Sequence, residues 1–246
     1  MKRFSWEIKF GIFLIILSII LYSIHYVWFQ NMEHIYLWSM TSLAFLPISI
    51  LFVTLIVNKL LIRRERRARM EKLNMLIGTF YSEVGTLLLE YVSNWDPNLD
   101  KIRNELIIDS EWTDEDFLEL SMRLRIYDYD IEYKKVDLVS LRSFLIEKRD
   151  FLLRLLENPN LFEHESFTAL LRAVFHLGEE LEGRKKLKQI SDKDNKHIAG
   201  DIKRVYGLLV HDWLNYLKYL QKNYPYLFSL ALRTNPFDEN ASLELK

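Results

Sequence analysis

Two uncharged apolar runs, residues 10–29 and 36–57, stand six residues apart, and the basic cluster Lys59, Arg63, Arg64, Arg66, Arg67 and Arg69 follows the second. At about 1.5 Å of rise per residue they reach roughly 30 and 33 Å as helices, the thickness of the hydrocarbon core of a bilayer. The expectation is a transmembrane hairpin. Tyr26, Val27, Trp28 and Phe29 stand where a cleavable leader needs small residues, so an uncleaved anchor is expected. Lys2, Arg3 and Lys9 precede the first run, whereas the connector 30–35 carries only Glu33 and His34. The positive-inside bias then puts both termini in the cytoplasm and predicts a multi-pass protein of the cell membrane. Tyr26, Trp28, Tyr36 and Trp38 bracket the connector, where amphipathic rings favour the headgroup layer.

The runs hold no Asp, Glu, Lys or Arg, the groups that proton relays, voltage sensors and coupled transporters place at depth. His25 is the ionisable exception, about one turn from the aromatic belt, and reads as an interfacial side chain. Pro47 lies mid-run and removes one backbone hydrogen bond, which predicts a kink.

Charge is split along the chain. Residues 1–69 hold nine Lys or Arg against three Glu, leaving 24 basic and 31 acidic residues, a balance of −7, for 70–246. An acidic domain is a poor match to nucleic acid, which is bound by concentrated positive charge. The juxtamembrane cluster instead suits anionic headgroups, at about 1 kcal/mol per basic residue near the surface. Absence of cysteine removes disulfides, thiolate nucleophiles and Cys-ligated zinc. Seven Gly and five Pro leave few breakers, which favours helices throughout.

Beyond the runs, Met70, Leu73, Ile77, Phe80, Val84, Leu87 and Tyr91 alternate at spacings of three and four. Such a seam serves either a dimerising coiled-coil stalk or the first helix of a bundle. Gly78 and Gly85, seven apart, would let a neighbouring helix approach. Asn94, Asp96 and Pro97 end this helix, and residues 98–108 are a short helical candidate. Thr113 caps a helix reaching about Arg125, and Tyr127 to Tyr133 alternate in period two, an ordered linker with aromatic anchors. Asp137 caps a helix stopped at Pro159, and a further helix carries Phe167, Leu170, Leu171, Val174 and Leu181. Residues 183–196 read as a loop. A long amphipathic helix follows from Ile198 to Leu220, then a short one that starts at Pro225.

The predicted fold is all-α, with a two-helix transmembrane hairpin over 1–62. A basic cluster and long connecting helix over 63–92 lead to a cytoplasmic helical bundle over 93–233 and a flexible tail over 234–246.

Motifs that would specify a reaction are missing. His176, Glu179 and Glu180 fall one turn apart, but His176 lies about 180° around the helix from Phe167 and faces water. Asp128, Asp130 and Glu132 imitate a calcium loop until Tyr133 occupies the position that requires Gly. No phosphate-binding Gly-rich loop is present. The stretch His211-Asp212-Trp213-Leu214-Asn215 resembles the phospho-acceptor box of sensor histidine kinases over five residues. That resemblance implies at most receipt of a phosphoryl group from another protein, because 31 residues follow Asn215. Asn235-Pro236-Phe237 is either a peptide ligand or a turn that packs back on the domain.

These observations predict a non-enzymatic membrane protein without metal or cofactor, whose cytoplasmic helical domain serves as a protein-interaction, scaffold or signal-relay module. Its expected partners are the lipid bilayer, a protein and a second copy of itself. The alternative is an oligomeric two-span channel with the Pro47 helices around the pore.

Overall fold

Scarcity of Gly and Pro leaves little to interrupt helices, and every regular element among the described residues is helical. The computed structural model describes residues 6–30, 32–187 and 190–242 and divides into two units, Met1–Glu65 and Arg66–Lys246.

In the first unit, α1 (Trp6–Phe29) ends at Gln30, whose φ of 44° is left-handed. Its N–H donates to the carbonyl of Tyr26 at 2.9 Å, which satisfies one of the orphan carbonyls at the helix end. Helix α2 (Met32–Phe80) begins two residues later, so positions 32–35 of the expected connector are helical. Glu33 in that first turn favours the positive end of the helix dipole. The hydroxyls of Ser23, Thr41 and Ser49 donate to the carbonyls of Ile19, Leu37 and Phe45, at 2.8, 2.8 and 3.1 Å. These polar groups are satisfied within their own helices. Two stretches here are long and apolar enough to cross a membrane, with mean hydropathy 2.2 and 2.3. No described side chain over 10–65 is buried.

The second unit is organised by α8 (Asp192–Asn223). Its apolar positions Ile198, Ile202, Val205, Leu209, Trp213, Leu217 and Leu220 are buried, and so are Tyr206, Val210 and Leu214 beside them. That width exceeds one amphipathic stripe and obliges the helix to be covered on several sides. Helices α3 (Thr86–Ser93), α4 (Asp114–Ile126), α7 (Glu165–Glu182) and α9 (Pro225–Arg233) all pack on it, while α5 (Leu138–Glu147) and α6 (Arg149–Leu156) pack on α7. The seam that begins at Met70 lies inside this unit, where Leu73, Ile77, Phe80, Val84 and Leu88 are core residues.

Capping follows local chemistry. Thr113 and Asp116 form a reciprocal capping box at α4, and Asp137 accepts from the N–H groups of Val139 and Ser140 at α5. Ser191 caps α8, so the loop expected over 183–196 is shorter. Asp192 and Asp194, which read as loop polarity, favour a helix N-terminus. Residues 98–108 form 3-10 turns, Leu99–Lys101 and Arg103–Leu106. Residues 127–133 pair with no strand; Tyr127, Tyr129 and Tyr206 instead pack edge to face in sequence, with centroids 4.8 Å apart at each step.

The flexible tail expected over 234–246 is anchored in its first part. Phe237 is fully buried, its ring 5.2 Å from that of Trp213. The Asn235 amide donates to the carbonyl of Leu106 at 2.8 Å, while its oxygen accepts the N–H of Phe237 at 3.0 Å. Asn235-Pro236-Phe237 is thus a packed turn, and residues 243–246 lie outside the described ones. Phe237→Ala is expected to cost about 3 kcal/mol. Thermal unfolding of the full chain in detergent should register this as a fall of about 6–12 °C, whereas a loose tail predicts no change.

Candidate functional site

Three helices, α2, α8 and α9, and a break in helical pitch build a groove in the second unit. At the end of α2 the backbone widens into a π turn, Tyr81–Gly85, before α3 resumes. Turns of this kind carry one residue more than an α turn and recur at functional sites. Here the widening seats a buried ring. Tyr81 is sunk between α2 and α8, with its hydroxyl donating to the carbonyl of Leu209 at 2.9 Å. A Cβ at Gly85 would stand 2.5 Å from the Tyr81 ring, so glycine opens the space beneath it.

Gly78 acts similarly, because a Cβ there would lie 2.6 Å from the Tyr216 hydroxyl oxygen. Tyr216 therefore lies against the bare backbone of α2 and stacks on Tyr81 at 5.5 Å and 10°. Both glycines thus admit a tyrosine ring. Burial raises the phenol pKa of Tyr81 well above 10, with the charge of Asp212 acting in the same direction, and burial raises that of Tyr216.

From this corner a groove of about 800 Å³ runs along α8 and α9. Asn74, Met75 and Thr79 form its α2 wall, Tyr216 and Tyr219 its floor, and Tyr224, Tyr226, Leu227 and Leu230 its far wall. Met75 and Tyr226 are 60% and 70% exposed, so large apolar and aromatic groups face solvent at the rim. The lining carries hydroxyl tips on apolar bodies, with no carboxylate, lysine or arginine.

Three buried carboxylates, Asp96, Asp201 and Asp212, lie outside this lining. Asp212 accepts the Ser166 hydroxyl at 2.7 Å on one oxygen, and its other oxygen is buried without a hydrogen bond. Next to it His164 caps α7, its Nδ1 accepting the N–H of Phe167 at 3.3 Å. Ser166 Oγ also lies 3.2 Å from His164 Nδ1, so Ser, His and Asp are close together. Asp96 accepts the Tyr127 hydroxyl and the Asn98 N–H, both at 2.8 Å. Burial pushes the pKa of Asp96 and of Asp212 up, against the hydrogen bonds that lower it.

The residues singled out from sequence are dispersed. Lys59, Arg63, Arg64, Arg66, Arg67 and Arg69 all lie exposed on α2, and Arg67 pairs with Glu71 at 3.3 Å. His176 is exposed on α7, while Glu180 pairs with Arg184 at 2.6 Å, and no metal-binding group of three or more ligands occurs among the described residues. Within the five-residue box, Asp212 is buried and His211 touches Asn215 at 3.2 Å. In the first unit the His25 ring stacks on that of His34 at 6.1 Å. The groove escaped the sequence reading, its one local signal being the tyrosine density over positions 216–226.

Two family models cover nearly the whole sequence. One, described as the C-terminal helical domain of the uncharacterized protein MJ1433, matches residues 69–233; the other, the N-terminal helical domain of MJ1433, matches residues 2–61. The chain belongs to the MJ1433 family. It is 47% identical over 231 residues to the Uncharacterized protein MJ1433 of Methanocaldococcus jannaschii, an alignment that covers 94% of this chain and 93% of that one. The interval between the two family matches, residues 62–68, contains the division between the units. No solved structure matches the chain.

Because the folded pKa values of Asp96 and Asp212 lie above the ordinary 3.8, their contribution to stability is fullest below that pH and is lost as pH rises through the folded values. Asp212→Asn removes one such contribution. The melting temperature of the variant minus that of the natural chain should therefore increase from about pH 4 to pH 7, and a difference independent of pH would contradict this assignment.

Proposed function

We propose that this protein is a non-enzymatic membrane-anchored interaction module whose second unit receives an amphipathic helix of a partner protein in the tyrosine groove. The observation that carries the reading is the groove itself. It is open, about 800 Å³, walled by helices, and lined by Tyr, Leu and Met without a charged group. Tyrosine supplies large contact area at low conformational entropy, and aromatic residues and Met are enriched where proteins meet. A helix that presents apolar residues at every third and fourth position matches a groove walled by helices. Exposed Met75, Tyr226 and Leu230 are the anchors such a helix would cover.

Anchoring is the other half of the proposal. Unburied apolar side chains among the described residues of 10–57 and hydroxyls bonded inside their own helices support a hairpin in lipid. Lys59, Arg63, Arg64, Arg66, Arg67 and Arg69 then meet anionic headgroups on the cytoplasmic side, with both termini in the cytoplasm. A protein so placed holds its partner at the membrane surface.

The test uses a photo-crosslinking amino acid at Met75 or at Tyr226 of the full chain, in native membranes, with Lys134 as a position away from the groove. The expected result is one shared crosslinked partner at 75 and 226, absent at 134, and lost when Ala231→Trp fills the groove. Crosslinks that are identical at all three positions, or that survive Ala231→Trp, would overturn the proposal.

A further inference from the structure

A second cleft lies in the same unit, where α5 runs beside the segment that follows α7. Arg142 on α5 and Lys185 and Lys186 on the segment share its wall with Val139, Ile146 and Leu187, and its volume is about 690 Å³. Three cations meet there without a carboxylate, in a stretch of chain, 70–246, whose balance is −7. Elsewhere in this unit cations are commonly paired, as Arg123 is with Glu105 and Glu119, Lys203 with Asp128, and Lys218 with Asp114. Arg184, adjacent to the two lysines, is taken up by Glu180 at 2.6 Å and Asp194 at 3.8 Å. Lys185 and Lys186 form no ion pair among the described residues.

Arg142 is also held in place. One guanidinium nitrogen donates to the carbonyl of Arg184 at 3.3 Å, which ties α5 to the segment and leaves its other N–H groups for a ligand. The Ser143 hydroxyl, also in the wall, donates to the carbonyl of Val139 at 3.0 Å, so its proton is already used. The cleft therefore offers N–H donors and positive charge along one side and aliphatic surface along the other. A planar guanidinium accepts two oxygens of one phosphate, and ammonium groups serve as adjacent point charges. The volume is that of a site for a small molecule.

We propose that this cleft binds a phosphate ester, with the phosphate on Arg142, Lys185 and Lys186 and the organic body against Val139, Ile146 and Leu187. This goes beyond the interaction reading and does not depend on it, since none of these residues lines the tyrosine groove. The phosphate can belong to a soluble nucleotide or to a lipid headgroup, and the experiment separates the two sources.

The full chain in nonionic detergent is titrated calorimetrically with ADP and, after reconstitution, tested against vesicles containing phosphatidic acid. Saturable one-to-one binding of either probe is expected. It should weaken about tenfold or more in the double variant Lys185→Glu, Lys186→Glu and in Arg142→Gln, weaken with added salt, and be unchanged in Lys134→Glu. Binding of ADP assigns a soluble ligand, and binding confined to the vesicles assigns a headgroup. The lysine variants alter exposed positions, so they decide the matter even where Arg142→Gln fails to fold. Absence of saturable binding to both probes, or binding that persists unchanged in the lysine variants, overturns the proposal. The groove crosslinking experiment is unaffected by either result.

Discussion

Helix α8 carries apolar residues on too many sides to be covered by a single neighbour, and the second unit is arranged around that constraint. Helix α7 takes one flank, α3 and α4 take others, and α9 folds back over the end near Leu220 and Phe228. Tyr206, Leu209 and Val210 are completely enclosed in the middle of the helix. Toward the C-terminal end its cover is the nine residues of α9. Tyr216 and Tyr219 are partly buried there, and the groove runs along this part of α8.

The π turn belongs to the same packing problem. Tyr81 has to reach the Leu209 carbonyl while Phe80 stays in the core against Phe167, their centroids 5.4 Å apart. Adjacent large rings directed into one interface crowd an ordinary α turn. One extra residue in the turn and the glycine at 85 relieve that crowding. The buried acids fit the same picture, since Asp212 and Asp96 lie beside the aromatic rings that fix where α8 meets its neighbours and are retained despite the desolvation that raises their pKa.

Much of the architecture was legible because it is written in local chemistry. The caps at Thr113 and Asp137 depend on side chains two or three positions from the N–H groups they satisfy, and the apolar faces of α7 and α8 on simple periodicity. The start of α8 was misplaced because Asp192 and Asp194 are as common in a loop as in a first helical turn, and only the cap at Ser191 separates the two. Features made by distant residues left no such mark. Phe237 is buried by Trp213, 24 positions away, and the Arg142 cleft joins segments more than 40 positions apart. The groove needs the end of α2 beside the end of α8, and the π turn has no composition that distinguishes it from the α-helix around it.

In the first unit, helices carry apolar side chains outward over 10–57 and direct their hydroxyls back to their own carbonyls. Water is a poor solvent for such a surface, and the proposed solvent is lipid. Alkaline carbonate extraction of membranes from cells that contain the full chain tests this most directly. Anchoring by the hairpin predicts that the protein sediments with the bilayer after extraction and enters solution only with detergent. Recovery of the intact chain in the carbonate supernatant would contradict it.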